Sequence, residues 1–192
     1  MKRRRLVVFP VVMLCLFILT AENALAKKVK GVEFPETVTI EGSSCTLTGV
    51  GIRKKLIINV YLGALYQAKP AQSPGGVISS EQVKRVVMHF LYKEVTAEQL
   101  IEAWNEGFAN NAGAAVSALK DKIDHFNALF NEPLRKGEKM EMTYVPGKGT
   151  EVVIKGRSRG VIEGSDFMNA LFSIWFGPKP PSKGLKNGML NQ

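Results

Sequence analysis

Cysteine and histidine are nearly absent from this chain, which has two of each among its 192 residues. Cys15 lies in an apolar N-terminal run, so only Cys45 remains in the rest of the chain and no internal disulfide can form there. His89 falls inside an apolar segment and His125 beside a helical stripe, and neither has a second histidine or cysteine at metal-ligand spacing. We therefore expect no metal, no cofactor and no Cys-His nucleophile, and we interpret Cys45 as a small core residue.

A complete phosphate-binding loop and a basic stripe are also missing. The segment Gly147-Lys148-Gly149-Thr150 resembles the end of a phosphate loop but lacks the earlier glycine, and a hairpin turn explains it fully. The C-terminal basic residues Lys179, Lys183 and Lys186 form no long block and are not interleaved with aromatic residues. Nucleotides and nucleic acids are therefore excluded as expected partners.

The N-terminus has the three parts of an export signal. Four basic residues, Lys2 to Arg5, precede an apolar run from Leu6 to Thr20, and Ala24-Leu25-Ala26 fits a signal peptidase site. A run of about 15 apolar residues is short for a membrane span, which needs roughly 20. We therefore predict a cleavable signal peptide over residues 1–26, a single domain over residues 27–192, and a periplasmic or secreted location.

The charge of the predicted mature chain is moderately basic. Four of the 26 basic residues and one of the 17 acidic residues lie in the signal, so the remaining 166 residues carry a net charge of +6. Such an excess can attract an anionic envelope surface, for example phospholipid headgroups, although an ordinary solvated surface is the preferred explanation. Nothing in the composition identifies a protein partner.

Strand patterns dominate the first half of the predicted domain. Residues 32–69 are rich in β-branched and aromatic side chains and predict three strands, with turns at residues 41–43 and 49–51. The third strand, residues 56–66, is apolar on both faces, which is typical of a central strand covered on both sides. Residues 73–76, Ser-Pro-Gly-Gly, then predict a break in the chain.

Helices follow a further strand at residues 85–91. Thr96 and Gln99 form a capping-box pattern that predicts a helix beginning at Thr96, and apolar spacing after Gly113 predicts a second helix that ends before Pro133. The C-terminal part predicts a hairpin over 140–155, a short strand at 161–162, a helix from 166 to 176 and a last short helix after 182. This order indicates an α+β fold in which helices pack on one face of an antiparallel sheet.

Several segments, in this order, resemble the chalcone isomerase family: Gly31–Pro35, Gly49–Arg53, Asn59–Tyr66 and Phe172–Pro178. The resemblance extends over roughly residues 31–190 and is specifically to the bacterial exported, chalcone isomerase-like branch. It implies a curved antiparallel sheet with helices packed on one face and a ligand cleft between the two layers.

The resemblance also implies which residues bind the ligand. Arg53 occupies the position of the family's cleft arginine, which meets the oxygens of a chalcone or the carboxylate of a fatty acid. Tyr61 matches the tyrosine of a Val-Tyr dipeptide that accompanies this arginine in plastid fatty-acid-binding members. Guanidinium and phenol together can hold a carboxylate through charge-assisted hydrogen bonds. The run Arg53-Lys54-Lys55 is equally compatible with a solvated turn.

The catalytic groups of the plant isomerases are largely replaced. Their threonine, tyrosine and asparagine correspond to Leu56, Thr96 and Ala103 here, so we assign no catalytic residue and keep Thr96 as a third candidate ligand contact, with a helix cap as its other explanation. The preferred hypothesis is an exported, non-catalytic domain that binds a small amphipathic molecule, a fatty acid or a phenolic compound. Two alternatives remain open: an isomerase or intramolecular lyase acting on a chalcone-like substrate, and an envelope interaction protein with a vestigial cleft.

The export signal yields the first testable prediction. Because Ala26 completes a small-x-small pattern beyond the apolar run, cleavage should leave Lys27 as the first residue of the exported protein. Intact mass spectrometry of the periplasmic or secreted fraction measures this directly. An uncleaved chain recovered from the membrane fraction would contradict the prediction and indicate an anchored protein.

Overall fold

The computed structural model describes residues 25–192, so most of the predicted signal peptide lies outside the described residues. The strands of the described part are β1 (Ala26–Val29), β2 (Val32–Pro35), β3 (Thr37–Ile40), β4 (Ser43–Lys55), β5 (Ile58–Gln67), β6 (Lys84–Phe90), β7 (Glu94–Val95), β8 (Leu134–Arg135), β9 (Lys139–Val145), β10 (Gly149–Ile154) and β11 (Arg157–Ile162). The helices are α1 (Pro74–Ser79), α2 (Ala97–Asn111), α3 (Ala115–Ala118), α4 (Lys120–Ala128), α5 (Ser165–Phe176) and α6 (Lys183–Leu190).

Seven strands form one curled antiparallel sheet in the spatial order β11-β10-β9-β6-β5-β4-β3. Strand β6 pairs with both β5 and β9, so helices α2 to α4 are an excursion between two adjacent strands. The short strands β7 and β8, which precede and follow these helices, pair with each other in an antiparallel ladder. The predicted α+β fold, with a curved antiparallel sheet and helices on one face, is confirmed.

The central strand β5 is buried on both faces, as its sequence predicts. Leu65 belongs to the core beneath the helices, whereas Leu62 and Tyr66 belong to a second cluster on the other face, beneath the β1–β2 hairpin. Cys45 also lies in this second cluster and is fully buried. The Tyr66 hydroxyl donates a 3.0 Å hydrogen bond to the carbonyl oxygen of Pro35, which ties β5 to the end of β2.

Helix α5 packs against helices α1, α2 and α6. The α2 capping box is present as predicted, and the second predicted helix is divided into α3 and α4. Helix α5 is apolar around most of its circumference, which is typical of an inner helix, and Trp175 on α5 contacts Trp104 on α2 with ring centroids 5.6 Å apart. Among residues 25–192, no helix combines the length and the apolar character that a membrane crossing requires.

The predicted break at residues 73–76 is instead the start of helix α1. The side chain of Ser73 caps the helix by accepting from the backbone N–H of Gly76, and proline occupies the first turn, where its missing N–H is not needed. The sequence pattern Ser-Pro is a helix-start signal as well as a turn signal, and here the helix is the outcome.

Lys84, at the start of strand β6, caps the C-terminus of helix α1. Its ammonium donates to the backbone carbonyl oxygens of Val77, Ile78 and Ser80, and its Nζ lies 4.7 Å from the ring centroid of Phe172. The residue is fully buried, and this burial lowers the pKa of Lys84 to about 7. A lysine at the start of a strand is ordinarily exposed, so the sequence does not predict this cap.

The turn predicted at residues 49–51 is wrong, because both glycines lie inside strand β4. A Cβ atom at Gly49 would lie 2.3 Å from the carbonyl oxygen of Gly188, and one at Gly51 would lie 2.1 Å from the carbonyl oxygen of Leu185. Both carbonyls belong to α6, so the glycines are required by the close approach of that helix to the strand and not by a turn.

The glycine contact predicts a large effect of a single methyl group. Gly51→Ala should lower the free energy of unfolding by about 2 kcal/mol or more, because the added Cβ meets helix backbone that cannot rotate away. Urea denaturation measures the difference. The matched control is Gly184→Ala in α6, whose added Cβ meets no atom within 4 Å and which should leave stability unchanged or slightly raised. Equal stability of the two variants would contradict the docking of α6 on β4.

Candidate functional site

A cleft of about 430 Å³ lies between helix α2 and the ends of strands β4, β5 and β6. The sheet side contributes two basic residues, Arg53 and Lys55, together with several aromatic or apolar ones, and the helix side contributes apolar residues together with the polar side chains of Gln99, Glu102 and Glu106. The sheet-side residues include Arg53, Val60, Tyr61, Met88 and Phe90. The helix-side residues include Leu100, Ala103, Trp104 and Ile174. The shape and composition are typical of a site for a small, largely apolar molecule.

Strand register brings Arg53 and Tyr61 together. Arg53 pairs directly with Tyr61 across β4 and β5, and Tyr61 pairs directly with Phe90 across β5 and β6. Directly paired residues project from the same face of a sheet, so the three side chains form one row beneath α2. The Arg53 guanidinium carbon lies 5.9 Å from the centroid of the Tyr61 ring. The structure therefore brings the two candidate residues together, while their role as ligand contacts stays a prediction.

An irregularity in the pairing follows Arg53. The β4–β5 register shifts between Arg53 and Lys54, which is the signature of a bulge. Arg53, paired with Tyr61 on the helix-facing side, is the last residue of β4 before this shift, and Lys54 and Lys55 continue the pairing to the turn. The alternative interpretation, in which Arg53 belongs to a solvated turn, does not fit this position.

A tryptophan orients the Tyr61 hydroxyl. The Nε1–H of Trp175 donates a 3.1 Å hydrogen bond to the Tyr61 oxygen, and Tyr61 is only 3% exposed. Burial raises the pKa of the Tyr61 phenol, and the neighbouring Arg53 opposes this effect more weakly. The phenol therefore keeps its proton at neutral pH. With one lone pair occupied by Trp175, its O–H is available to donate to a ligand.

Two further donors of the cleft lack acceptors. The Nε of Arg53 and the Nε1 of Trp104 are buried and have no hydrogen-bond partner among residues 25–192. A buried donor without an acceptor costs about 1–3 kcal/mol, which makes such groups uncommon in folded proteins. The carboxylates that line the cleft, Glu102 and Glu106, are on exposed positions of α2. The inner part of the cleft therefore offers hydrogen-bond donors to a ligand that carries acceptors.

Thr96 has a structural role at the start of α2. Its hydroxyl oxygen accepts a 3.3 Å hydrogen bond from the Gln99 backbone N–H, and its own N–H donates to the Gln99 side chain at 3.1 Å. The residues that line the cleft include Val95 and Gln99 on either side of it but not Thr96 itself. Its assignment as a ligand contact stays a prediction, and the helix cap already uses its oxygen.

The positions that correspond to the other plant catalytic groups carry no polar side chain. Leu56 lies in the β4–β5 turn with 91% of its surface exposed, and Ala103 presents a methyl group to the cleft. Phe90 and Tyr92 line the cleft as well, although the sequence did not assign them to it. Alternation along β6 shows which residues share a face, but only the pairing with β5 shows that Phe90 lies beside Tyr61.

Comparison with known proteins places this architecture. The crystal structure of a fatty-acid binding protein from Arabidopsis thaliana superimposes with a TM-score of 0.73 at 19% sequence identity, covering 87% of this chain and 96% of that chain. At this identity the similarity shows a common fold. A search of curated protein sequences found no match. A family model described as chalcone isomerase-like matches residues 26–191, so the chain belongs to the chalcone isomerase-like family.

Proposed function

We propose that this protein is a non-catalytic binding protein for a fatty acid or a similar amphipathic carboxylate, which it holds between the sheet and helix α2. The observation that carries the proposal is the row of Arg53 and Tyr61 on the sheet side of a cleft that is lined largely by apolar residues. The guanidinium supplies charge and two-pronged hydrogen bonding, and the phenol supplies a second donor. A carboxylate is the ligand group that accepts from both.

The apolar wall suits the hydrocarbon part of such a ligand. Met88 and Phe90 from the sheet face Leu100 and Trp104 from the helix, and a cavity of about 430 Å³ falls within the range typical of small-molecule sites. Each methylene group buried there contributes roughly 0.8 kcal/mol to binding. Affinity would therefore increase with chain length until the cleft is filled.

Binding without catalysis is supported by the chemistry of the inner cleft. Tyr61 and Trp104 offer protonated donors, and the raised pKa of the Tyr61 phenol makes a tyrosinate base unfavourable at neutral pH. The Arabidopsis protein of similar fold is itself described as a fatty-acid binding protein. The export signal stays a prediction, and we place the binding function in the periplasm or outside the cell on that basis.

Charge removal on either partner tests the anionic anchor. Arg53→Ala should weaken binding of a long-chain fatty acid about ten- to hundredfold, because a charge-assisted hydrogen bond contributes about 1.5–3 kcal/mol. Arg53→Lys should also bind more weakly, since an ammonium cannot form the bidentate contact. Isothermal titration calorimetry with the acid and with its methyl ester measures the effect of removing the charge from the protein and from the ligand. The ester should bind the unmodified protein as weakly as the acid binds Arg53→Ala.

The matched control for this experiment is Arg157→Ala, which removes an exposed arginine from the opposite edge of the sheet. It should leave both affinities unchanged. Equal affinity of the unmodified protein for acid and ester would show that no anionic anchor exists.

Incubation with a chalcone, followed by absorbance, tests the catalytic alternative. Cyclisation above the uncatalysed rate would contradict a purely binding role.

Tyr61→Phe separates the second donor from the charge. Because the hydroxyl can donate to an acid or to an ester carbonyl, its loss should weaken both ligands by a similar factor of about five to ten. Arg53→Ala should instead abolish the difference between the two ligands. Tyr144→Phe is the control, as a buried tyrosine that does not line the cleft. A Tyr61→Phe effect no larger than that of Tyr144→Phe would remove Tyr61 from the site.

A further inference from the structure

The β4–β5 turn exposes apolar side chains at the mouth of the cleft. Leu56 and Ile57 form the two-residue turn and are 91% and 95% exposed, and the next residue, Ile58, is 43% exposed. These three neighbours account for most of the large exposed hydrophobic residues in the described part of the chain. Lys55 and Ile58, which pair on either side of the turn, both line the cleft, so this exposed tip lies at its entrance.

Three other hairpins of the same protein show what such a turn ordinarily contains. The β1–β2, β3–β4 and β10–β11 hairpins also have two-residue turns, formed by Lys30-Gly31, Glu41-Gly42 and Lys155-Gly156. Both residues of each pair have positive φ, and each pair combines a charged residue with glycine. This is the composition that folding favours in tight hairpins.

The β4–β5 turn departs from that rule in two ways. Leu56, the first turn residue, has a φ of 56°, whereas Ile57 is not among the residues with positive φ. In two-residue turns with positive φ at the first position alone, glycine is the favoured residue at that position. Neither turn residue is polar, although both are almost fully in solvent. Leucine with positive φ is strained, and two exposed apolar side chains bring no benefit to the folded monomer. Their presence therefore points to a contact outside the protein.

The surroundings of the tip indicate the chemistry of that contact. Arg53, Lys54 and Lys55 directly precede the two turn residues, and Lys54 and Lys55 are exposed. A narrow apolar tip that projects beyond a group of cations matches a bilayer surface, in which anionic headgroups cover hydrocarbon. Such a tip is too small to form the core of a stable protein interface, which buries about 800 Å² on each partner.

We propose that the Leu56-Ile57 tip inserts into the surface of a bilayer containing anionic phospholipid, and that Lys54 and Lys55 contact the headgroups. This contact places the mouth of the cleft against the membrane, so that an amphipathic ligand can pass between bilayer and cleft without crossing bulk water. The membrane contact itself is independent of the ligand, whereas the exchange of ligand rests on the function proposed above.

The test combines a substitution that favours folding with a membrane-binding measurement. In the double variant Leu56→Gly and Ile57→Ser, glycine suits the positive φ and serine is polar, so thermal stability should be equal or higher. Co-sedimentation with vesicles of equal parts phosphatidylglycerol and phosphatidylcholine should show at least tenfold weaker binding than the unmodified protein. Vesicles of phosphatidylcholine alone should bind the unmodified protein more weakly, and added salt should reduce binding to the anionic vesicles.

The control variant is Val161→Ser, which removes another exposed apolar side chain, on the far edge strand, and should leave vesicle binding unchanged. Fatty-acid affinity measured in solution should be the same in the unmodified protein and the double variant. Failure of the unmodified protein to bind anionic vesicles, or full binding by the double variant, would overturn the proposal whether or not fatty acids bind. Self-association that the double variant abolishes, without vesicle binding, would assign the tip to a second copy of the chain instead.

Discussion

The contact of helix α6 with strand β4 determines where the cleft can exist. Gly49, Gly51 and Arg53 follow one another along the helix-facing side of the strand, and α6 lies over the two glycines at backbone contact. The chain enters α6 through Ser182, whose hydroxyl donates to the carbonyl oxygen of Ile52, so the helix begins just before Arg53 is reached. Arg53 is therefore the first position on this face that α6 leaves uncovered, and the cleft opens there.

The same region contains features that lower the stability of the isolated protein. Buried donors of Arg53 and Trp104 lack acceptors, and Leu56 adopts a backbone conformation that suits glycine. Departures of this kind concentrate at functional sites, because the interactions that compensate for them are made with a partner. Under the two proposals made above, an anionic ligand would satisfy the donors and a lipid surface would cover the exposed side chains.

The family fold and the function of this chain rest on different observations. Similarity at 19% identity establishes the curled sheet and its helices, but a fold hosts many activities. The function depends on which side chains project into the cleft. Leucine and alanine stand at two positions that, by the resemblance, correspond to catalytic groups of the plant isomerases, whereas Arg53 and Tyr61 line the cleft. These two observations support the proposed binding function.

Local patterns determined much of this protein without reference to its tertiary structure. The cap at Thr96, the both-sided burial of β5 and the order of the main strands and helices after residue 84 could be predicted because each depends on residues close in sequence. The structural role of Gly51 could not be predicted from the sequence. A glycine in a turn and a glycine beneath a helix give the same local pattern, and only the position of the distant helix α6 distinguishes them. The meeting of Arg53 with Tyr61 was likewise decided by strand register, and the orientation of the Tyr61 hydroxyl by Trp175, because hydrogen bonding between distant segments leaves no local periodicity in the sequence.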